Sequence, residues 1–125
     1  MTNPVRALLE RYCTAMNERH REDWLDCFAD DAVQEDPVGT PVNVGREAIG
    51  KFFDGNDIPV TLSVTDDPLV VGNEVLAFFT VVAEMESGRM RLPRIVDHIV
   101  LSEDGQHFQS LRAFFDYAEM VPAAE

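Results

Sequence analysis

Val5, Leu8, Leu9, Tyr12 and Met16 recur at spacings of three and four, the period of an amphipathic helix, and Tyr12 lies on the apolar stripe. Asn3 before Pro4 suits the start of that helix, because the Asn side chain accepts from first-turn amides and proline there forfeits no bond. Trp24, Leu25 and Phe28 predict a second, short helix, entered through the charged stretch Glu18 to Asp23 and left at Ala29, Asp30 and Asp31. The two helices form a hairpin. From Ala32 the pattern becomes extended and ends in Glu35, Asp36, Pro37, Val38 and Gly39, which places Asp36 where a strand meets a turn. Gly45, Arg46 and Glu47 open a third helix with Ile49, Phe52 and Phe53 on one face, ended by Gly55 and Asn56.

Everything afterwards reads as strand. Val60 to Val64, Leu69 to Val71, Val75 to Met85, Met90 to Leu101 and Phe108 to Tyr117 are rich in Val, Ile, Phe and Leu, with turn signals between them. Helices gathered ahead of an antiparallel meander give an α+β fold. In the fourth strand, alternation puts Ile95, Asp97, Ile99 and Leu101 on one face and Val96, His98 and Val100 on the other, so both faces are largely apolar. So short a chain has helices enough to cover one face, and a homodimer through the open sheet face is expected to cover the second.

The length of 125 residues is that of one domain, residues 1–125. A formal charge of −13 disfavours nucleic acid and anionic membrane as partners, since both attract the opposite sign. No apolar run approaches the roughly 20 residues of a membrane span. The N-terminal stretch lacks the pattern of a secretory signal, so cytoplasmic residence is expected. Cys13 and Cys27 have neither metal-type spacing nor a disulfide framework around them and read as free thiols in helical segments.

Asp97 is the anomaly, because a carboxyl group between Ile95 and Ile99 is costly unless it is paired or protonated. It is either a structural partner of Arg94 or Arg112, or a functional group. Asp36 before a proline in a turn has an equally ordinary reading as a backbone-bonding turn residue, and Tyr12 as a core residue with a satisfied hydroxyl. As a set, the three come from separate elements and can meet in one cavity between helices and sheet.

Their order along the chain, with FADDA followed by EDPVG, then GREAI, VDH and LRAFFDY, resembles the steroid Δ-isomerases (ketosteroid isomerases) of the nuclear transport factor 2-like superfamily. The resemblance covers nearly the whole chain. It implies a cone-shaped fold in which the helices pack on a curved antiparallel sheet around an apolar pocket, and a dimer through the sheet. It also implies isomerisation of a Δ5-3-ketosteroid to the Δ4-3-ketosteroid, with Asp36 as general base, Tyr12 as an oxyanion-hole donor and Asp97 as a protonated second donor; these roles belong to the family. A mobile turn suits a base that takes a proton from one carbon and returns it to another. Phe28 and Phe53 stand where family members place tyrosines behind the catalytic tyrosine, Phe115 where an aromatic lines the pocket, and Ile95 and Ile99 supply the apolar surroundings of Asp97. These five are the expected substrate-binding residues. No cofactor and no metal is implied.

Two other readings remain at this point. One is another enzyme of the superfamily, an epoxide hydrolase or a polyketide cyclase, although Ile95 replaces the Arg that the former needs and His98 has the wrong parity for the latter. The other is a non-catalytic pocket for a sterol or similar apolar ligand.

Overall fold

The computed structural model describes residues 4–123. The Asn3 cap lies outside them. Helix α1 (Pro4–Asn17) buries Leu8, Leu9, Tyr12, Cys13, Ala15 and Met16, the stripe that its periodicity predicts. Arg19 then reverses the chain with a left-handed backbone (φ 58°), a conformation that costs a non-glycine residue free energy unless its surroundings hold it. Its guanidinium does so by donating to the carbonyls of Phe53 and Asn56 at 3.1 and 3.0 Å and lying 4.0 Å above the Phe53 ring. The turn is thereby fastened to the end of α3 (Gly45–Gly55), across α2 (Arg21–Leu25).

Helix α2 is shorter than its apolar pattern suggests, and Phe28 belongs to strand β1 (Phe28–Glu35). Long-range pairing overrides the local pattern here. Phe28 sits opposite Phe108 of β6 (Phe108–Phe114), the Phe108 amide donates to the Cys27 carbonyl at 2.7 Å, and Arg46 donates twice to the Phe28 carbonyl. Cys27 is therefore in the connection rather than in a helix; both cysteines are free and buried.

The sheet is completed by β2 (Asn43–Val44), β3 (Val60–Val71), β4 (Glu74–Met85), β5 (Gly88–Leu101) and β7 (Val121–Pro122). Its order is β2-β1-β6-β5-β4-β3, with β7 pairing with β5 beyond the end of β6. The sheet is mixed rather than a pure antiparallel meander, since β1 runs parallel to β6. The two stretches expected at Val60 to Val64 and Leu69 to Val71 are one strand, bulged around Asp66. Pro68 is tolerated there because β3 is an edge strand, where a missing amide donor breaks no ladder.

A second bulge sets the concave side. Ile95 lies opposite Phe79 but Leu92 lies opposite Val81, so Pro93 and Arg94 together face Thr80. The extra residue shifts the alternation and turns Leu92 inward in line with Ile95 and Asp97. Such bulges bend strands, and the curved, unclosed sheet wraps the helices. On its convex side Leu69, Leu76 and Phe114 are exposed.

Candidate active site

One cavity of about 240 Å³ opens between the helices and the concave face of the sheet. By the same measure a single water needs only roughly 10–15 Å³. Tyr12 reaches it from α1, Asp36 from the turn after β1 and Asp97 from the middle of β5, so the three residues singled out by sequence converge. Tyr12 and Asp97 are each 3% exposed. Asp97 stands between Ala77 of β4 and Ala113 of β6, its cross-strand neighbours, and between Ile95 and Ile99 along its own strand. Alanine on both sides offers the carboxyl group no hydrogen-bonding side chain across the sheet.

Neither Arg94 nor Arg112 neutralises Asp97. Arg94 bonds Glu119 at 2.6 Å, and Arg112 bonds Glu35 at 2.9 Å. Asp97 Oδ1 is buried with no hydrogen-bond partner among the described residues. Burial first, and the Asp36 charge second, hold its pKa well above the usual carboxylate range. The neutral acid is the form the surroundings favour, and only that form can donate a hydrogen bond. Burial, then Asp97, then Asp36 raise the Tyr12 hydroxyl well above its ordinary value, so it too stays a donor.

Asp36 differs. Burial raises it to about 6, so it is ionised at neutral pH yet more basic than a solvated aspartate. Its turn is braced by hydrogen bonds. The Val38 amide donates to the Ala113 carbonyl at 2.8 Å, and Thr40 Oγ1 donates to the Pro37 carbonyl at 2.7 Å. The Glu35 carboxylate accepts from the Gly39 amide and from Arg112 Nε, each at 2.9 Å. These bonds satisfy backbone groups that a free turn would leave to water, and they aim Asp36 at the cavity.

Of the expected substrate-binding residues, Ile95 and Phe115 line the cavity; Phe28, Phe53 and Ile99 do not. Phe28 is turned into an aromatic cluster with Trp24, Tyr12 and Phe108, and Phe53 packs on Trp24 with its far face under Arg19. Ile99 lies in the closed core behind Asp97. They form a second layer, supporting Tyr12 and Asp97 from behind.

Sequence reasoning passed over Phe52, which faces the cavity while its neighbour Phe53 faces the core. It also missed Phe79, Val81 and Ala83, although strict alternation along β4 marks them. Tyr117, expected at the end of the last strand, lies beyond β6, which stops at Phe114. It lines the mouth because a short 3₁₀ turn (Tyr117–Glu119), capped by Asp116 and tied by the Arg94 pair, folds back against the Phe115 ring.

The sequence profile of the SnoaL-like domain matches residues 9–109. The structure is similar to RV0760c from Mycobacterium tuberculosis in complex with estradiol-17β-hemisuccinate, with a TM-score of 0.81 at 22% identity, over 96% of this chain and 99% of that one. It is similar to the Δ5-3-ketosteroid isomerase from Mycobacterium sp., with a TM-score of 0.79 at 21% identity, over 96% and 98%. A computationally designed 17-OHP binder shares the fold at a TM-score of 0.80 and 22% identity, over 96% and 98%. At these identities the likeness establishes fold alone. Because the profile spans most of the chain and the architecture is the same, the protein belongs to the SnoaL-like domain family, with the nuclear transport factor 2-like fold.

Proposed function

We propose that this chain is a steroid Δ5-isomerase, which converts a Δ5-3-ketosteroid to the conjugated Δ4-3-ketosteroid. The observation that carries the reading is Asp97, a carboxyl group facing an apolar cavity with no cation beside it among the described residues and a tyrosine hydroxyl and a second carboxylate in the same cavity. An unpaired buried carboxyl group is unfavourable for the fold, and stabilising an oxyanion gives it a use.

In the proposed mechanism the Asp36 carboxylate removes a proton from the carbon between the ketone and the double bond. The electron pair moves toward the carbonyl oxygen, which becomes a dienolate oxygen held by the Tyr12 hydroxyl and the Asp97 acid. Asp36 then returns the proton to the far end of the original double bond, and the conjugated ketone is released. No atom is gained or lost. Raising Asp36 toward 6 narrows the mismatch with a weakly acidic carbon by about 3 kcal/mol, taking 1.36 kcal/mol per unit. The donors supply more, because fixed donors in a site without water are each worth about 2.7–4 kcal/mol of barrier. Ile95 and Phe115 form part of the wall against which the fused rings lie.

A binder of apolar ligands is the second reading. It is favoured by Phe28 and Phe53, which leave no tyrosine behind Tyr12. One assay decides: a Δ5-3-ketosteroid is added and conjugated-enone absorbance followed. Turnover supports the isomerase, and tight binding without turnover supports the binder. Two further parts of the proposal concern the protein's surroundings. A homodimer through the convex face would cover Leu76 and Phe114, and Phe114→Glu is expected to yield monomers in sedimentation. Cytoplasmic residence suits the free thiols Cys13 and Cys27.

A further inference from the structure

The cavity has two polar ends. Tyr12, Asp36, Asp97 and Tyr117 gather at one, and the wall that leads away from them is apolar, formed by Met16, Leu62, Phe79, Val81 and Leu92 among others. Beyond that wall, among the described residues, the lining contains one more polar side chain, Asn56.

The strand registers show how far it lies from Asp97. Asp97 is level with Ala77, whereas Ala83, six residues along β4, is level with Val60 at the start of β3. Six residues of strand span at most about 20 Å. The Glu84 amide donates to the Pro59 carbonyl at 3.0 Å, which fixes the segment from Asn56 to Val60 at this end. Helix α1 agrees: Tyr12 lies more than a turn before its end, and Arg19, beyond that end, holds the Asn56 carbonyl.

The fold does not require an asparagine at position 56. Its backbone amide closes α3 by donating to the carbonyls of Phe52 and Phe53 at 3.1 and 3.2 Å, and its carbonyl accepts from Arg19. Any residue with an amide proton makes those bonds. Its φ of −96° is open to every L residue, so the tolerance of asparagine for left-handed backbone is not in use. The side-chain amide makes no hydrogen bond to the protein among the described residues and is exposed at the cavity. Both a donor and an acceptor are therefore presented at the end of an apolar slot.

We infer that Asn56 is a distal polar subsite, which accepts a hydroxyl or ketone on the end of the ligand remote from the group held by Tyr12 and Asp97. This rests on the reading of the cavity as a steroid site and sharpens it: the favoured ligands carry oxygen at both ends of the ring system. The amide NH₂ donates to a ketone; the amide oxygen accepts from a hydroxyl.

The test is a binding titration, independent of turnover, with three phenolic steroids that differ only at the distal carbon: estradiol with a hydroxyl, estrone with a ketone, and the 17-deoxy parent. Wild-type protein is expected to bind the oxygenated pair about three- to tenfold more tightly than the deoxy compound, the range of one neutral hydrogen bond. In Asn56→Ala that ratio falls to about one. Asn56→Asp keeps an acceptor but loses the donors, so it retains preference for estradiol and loses it for estrone. The denaturant midpoint of Asn56→Ala stays at the wild-type value, because no protein bond is lost. Equal affinity of wild-type protein for all three, or a ratio that persists in Asn56→Ala, overturns the distal subsite and leaves the steroid reading standing. Failure of all three to bind overturns that reading and the subsite with it.

Discussion

On the concave face of β5, Asp97 stands among apolar side chains with Oδ1 unbonded, and on the convex face of the same strand the next residue, His98, bonds Glu74 at 2.9 Å. The contrast extends across the sheet. The inner row reads Ala77, Asp97, Ala113; the outer row reads Leu76, His98, Arg112, and Arg112 bonds Glu35 and lies over the Phe114 ring. Outside, charged groups find partners in water-screened pairs that cost little and add little. Inside, small neighbours surround a carboxyl group that the fold leaves unpaired. Where partners are supplied the charge serves the fold, and where they are withheld it is free for a ligand. Among the described residues, the other buried side-chain atoms without a partner, Trp24 Nε1 and Gln34 Nε2, belong to residues that do not line the cavity.

The largest effect that bears on this contrast is expected from Asp36→Asn. Loss of a general base lowers turnover by about 10²- to 10⁴-fold. Stability moves the other way. The folded pKa of Asp36, about 6, exceeds its ordinary value of 3.8, so the folded state binds more protons between them. Its contribution to stability is full below the ordinary value and is lost as pH rises through about 6, a loss of about 3 kcal/mol. The asparagine variant, which cannot ionise in the unfolded state, escapes that loss. At pH 8 it is expected to unfold at higher denaturant than wild type while being nearly inactive. A less stable variant would show that Asp36 is a structural turn residue.

Asp97 gives the next effect. Asp97→Ala removes a donor and is expected to cost about 10²- to 10³-fold in turnover. Asp97→Asn keeps an NH donor and retains more activity than Asp97→Ala. Because the raised Asp97 acid also favours the folded state only at low pH, the asparagine variant gains stability over wild type as pH rises above the ordinary aspartate range. A structural ion pair predicts the reverse: an abandoned arginine and a fold weakened by about 3–5 kcal/mol. Turnover and denaturant midpoints of both variants separate the two outcomes.

The sequence made much of this contrast legible, and the reasons are specific. Asp97 shows itself because alternation in β5 holds without interruption from Ile95 to Leu101. The site was less legible wherever the period breaks. The bulge at Pro93 and Arg94 changes which residues face inward; Pro93 inside an interior strand is its only local mark, and the register that it shifts is set by β4. Phe28 is apolar in a way that suits a helix end or a strand start; only its partner Phe108, eighty residues away, decides. Phe52 and Phe53 are adjacent on a helix and so point in different directions, and the apolar stripe alone does not tell cavity from core. Tyr117 ends the stretch that reads as the last strand, and the turn that stops β6 at Phe114 has no period to mark it.

The pH dependence of turnover sharpens the distinction between the two carboxyl groups in the cavity. Asp36 must be ionised to act and Asp97 must be neutral, so turnover is expected to rise with pH through about 6 and then level off while Asp97 keeps its proton. At pH 5 the active fraction is about one-tenth. In Asp97→Asn the lower limb is expected to stay at about 6, because burial alone raises Asp36 and the neutral acid that is replaced carries no charge. A profile flat between pH 5 and 7 would mean that neither group titrates as the cavity requires.

The smallest effect comes from the convex face and asks whether the two faces are independent. Glu35 lies beside Asp36 in sequence but on the outer side, where the Gly39 amide first and Arg112 second hold its pKa below the usual range. As a surface pair, its removal in Glu35→Gln is expected to change stability little. The same change loosens the turn that aims Asp36, and misplacement of a catalytic group lowers kcat more than it raises KM. A severalfold fall in kcat with KM nearly unchanged and the rise through about pH 6 retained is the expected result. Arg112→Leu leaves the Gly39 bond in place and is expected to fall between wild type and Glu35→Gln. If both variants turn over like wild type, the outer ion pairs serve the fold alone, and the Val38 and Thr40 bonds suffice to hold the base.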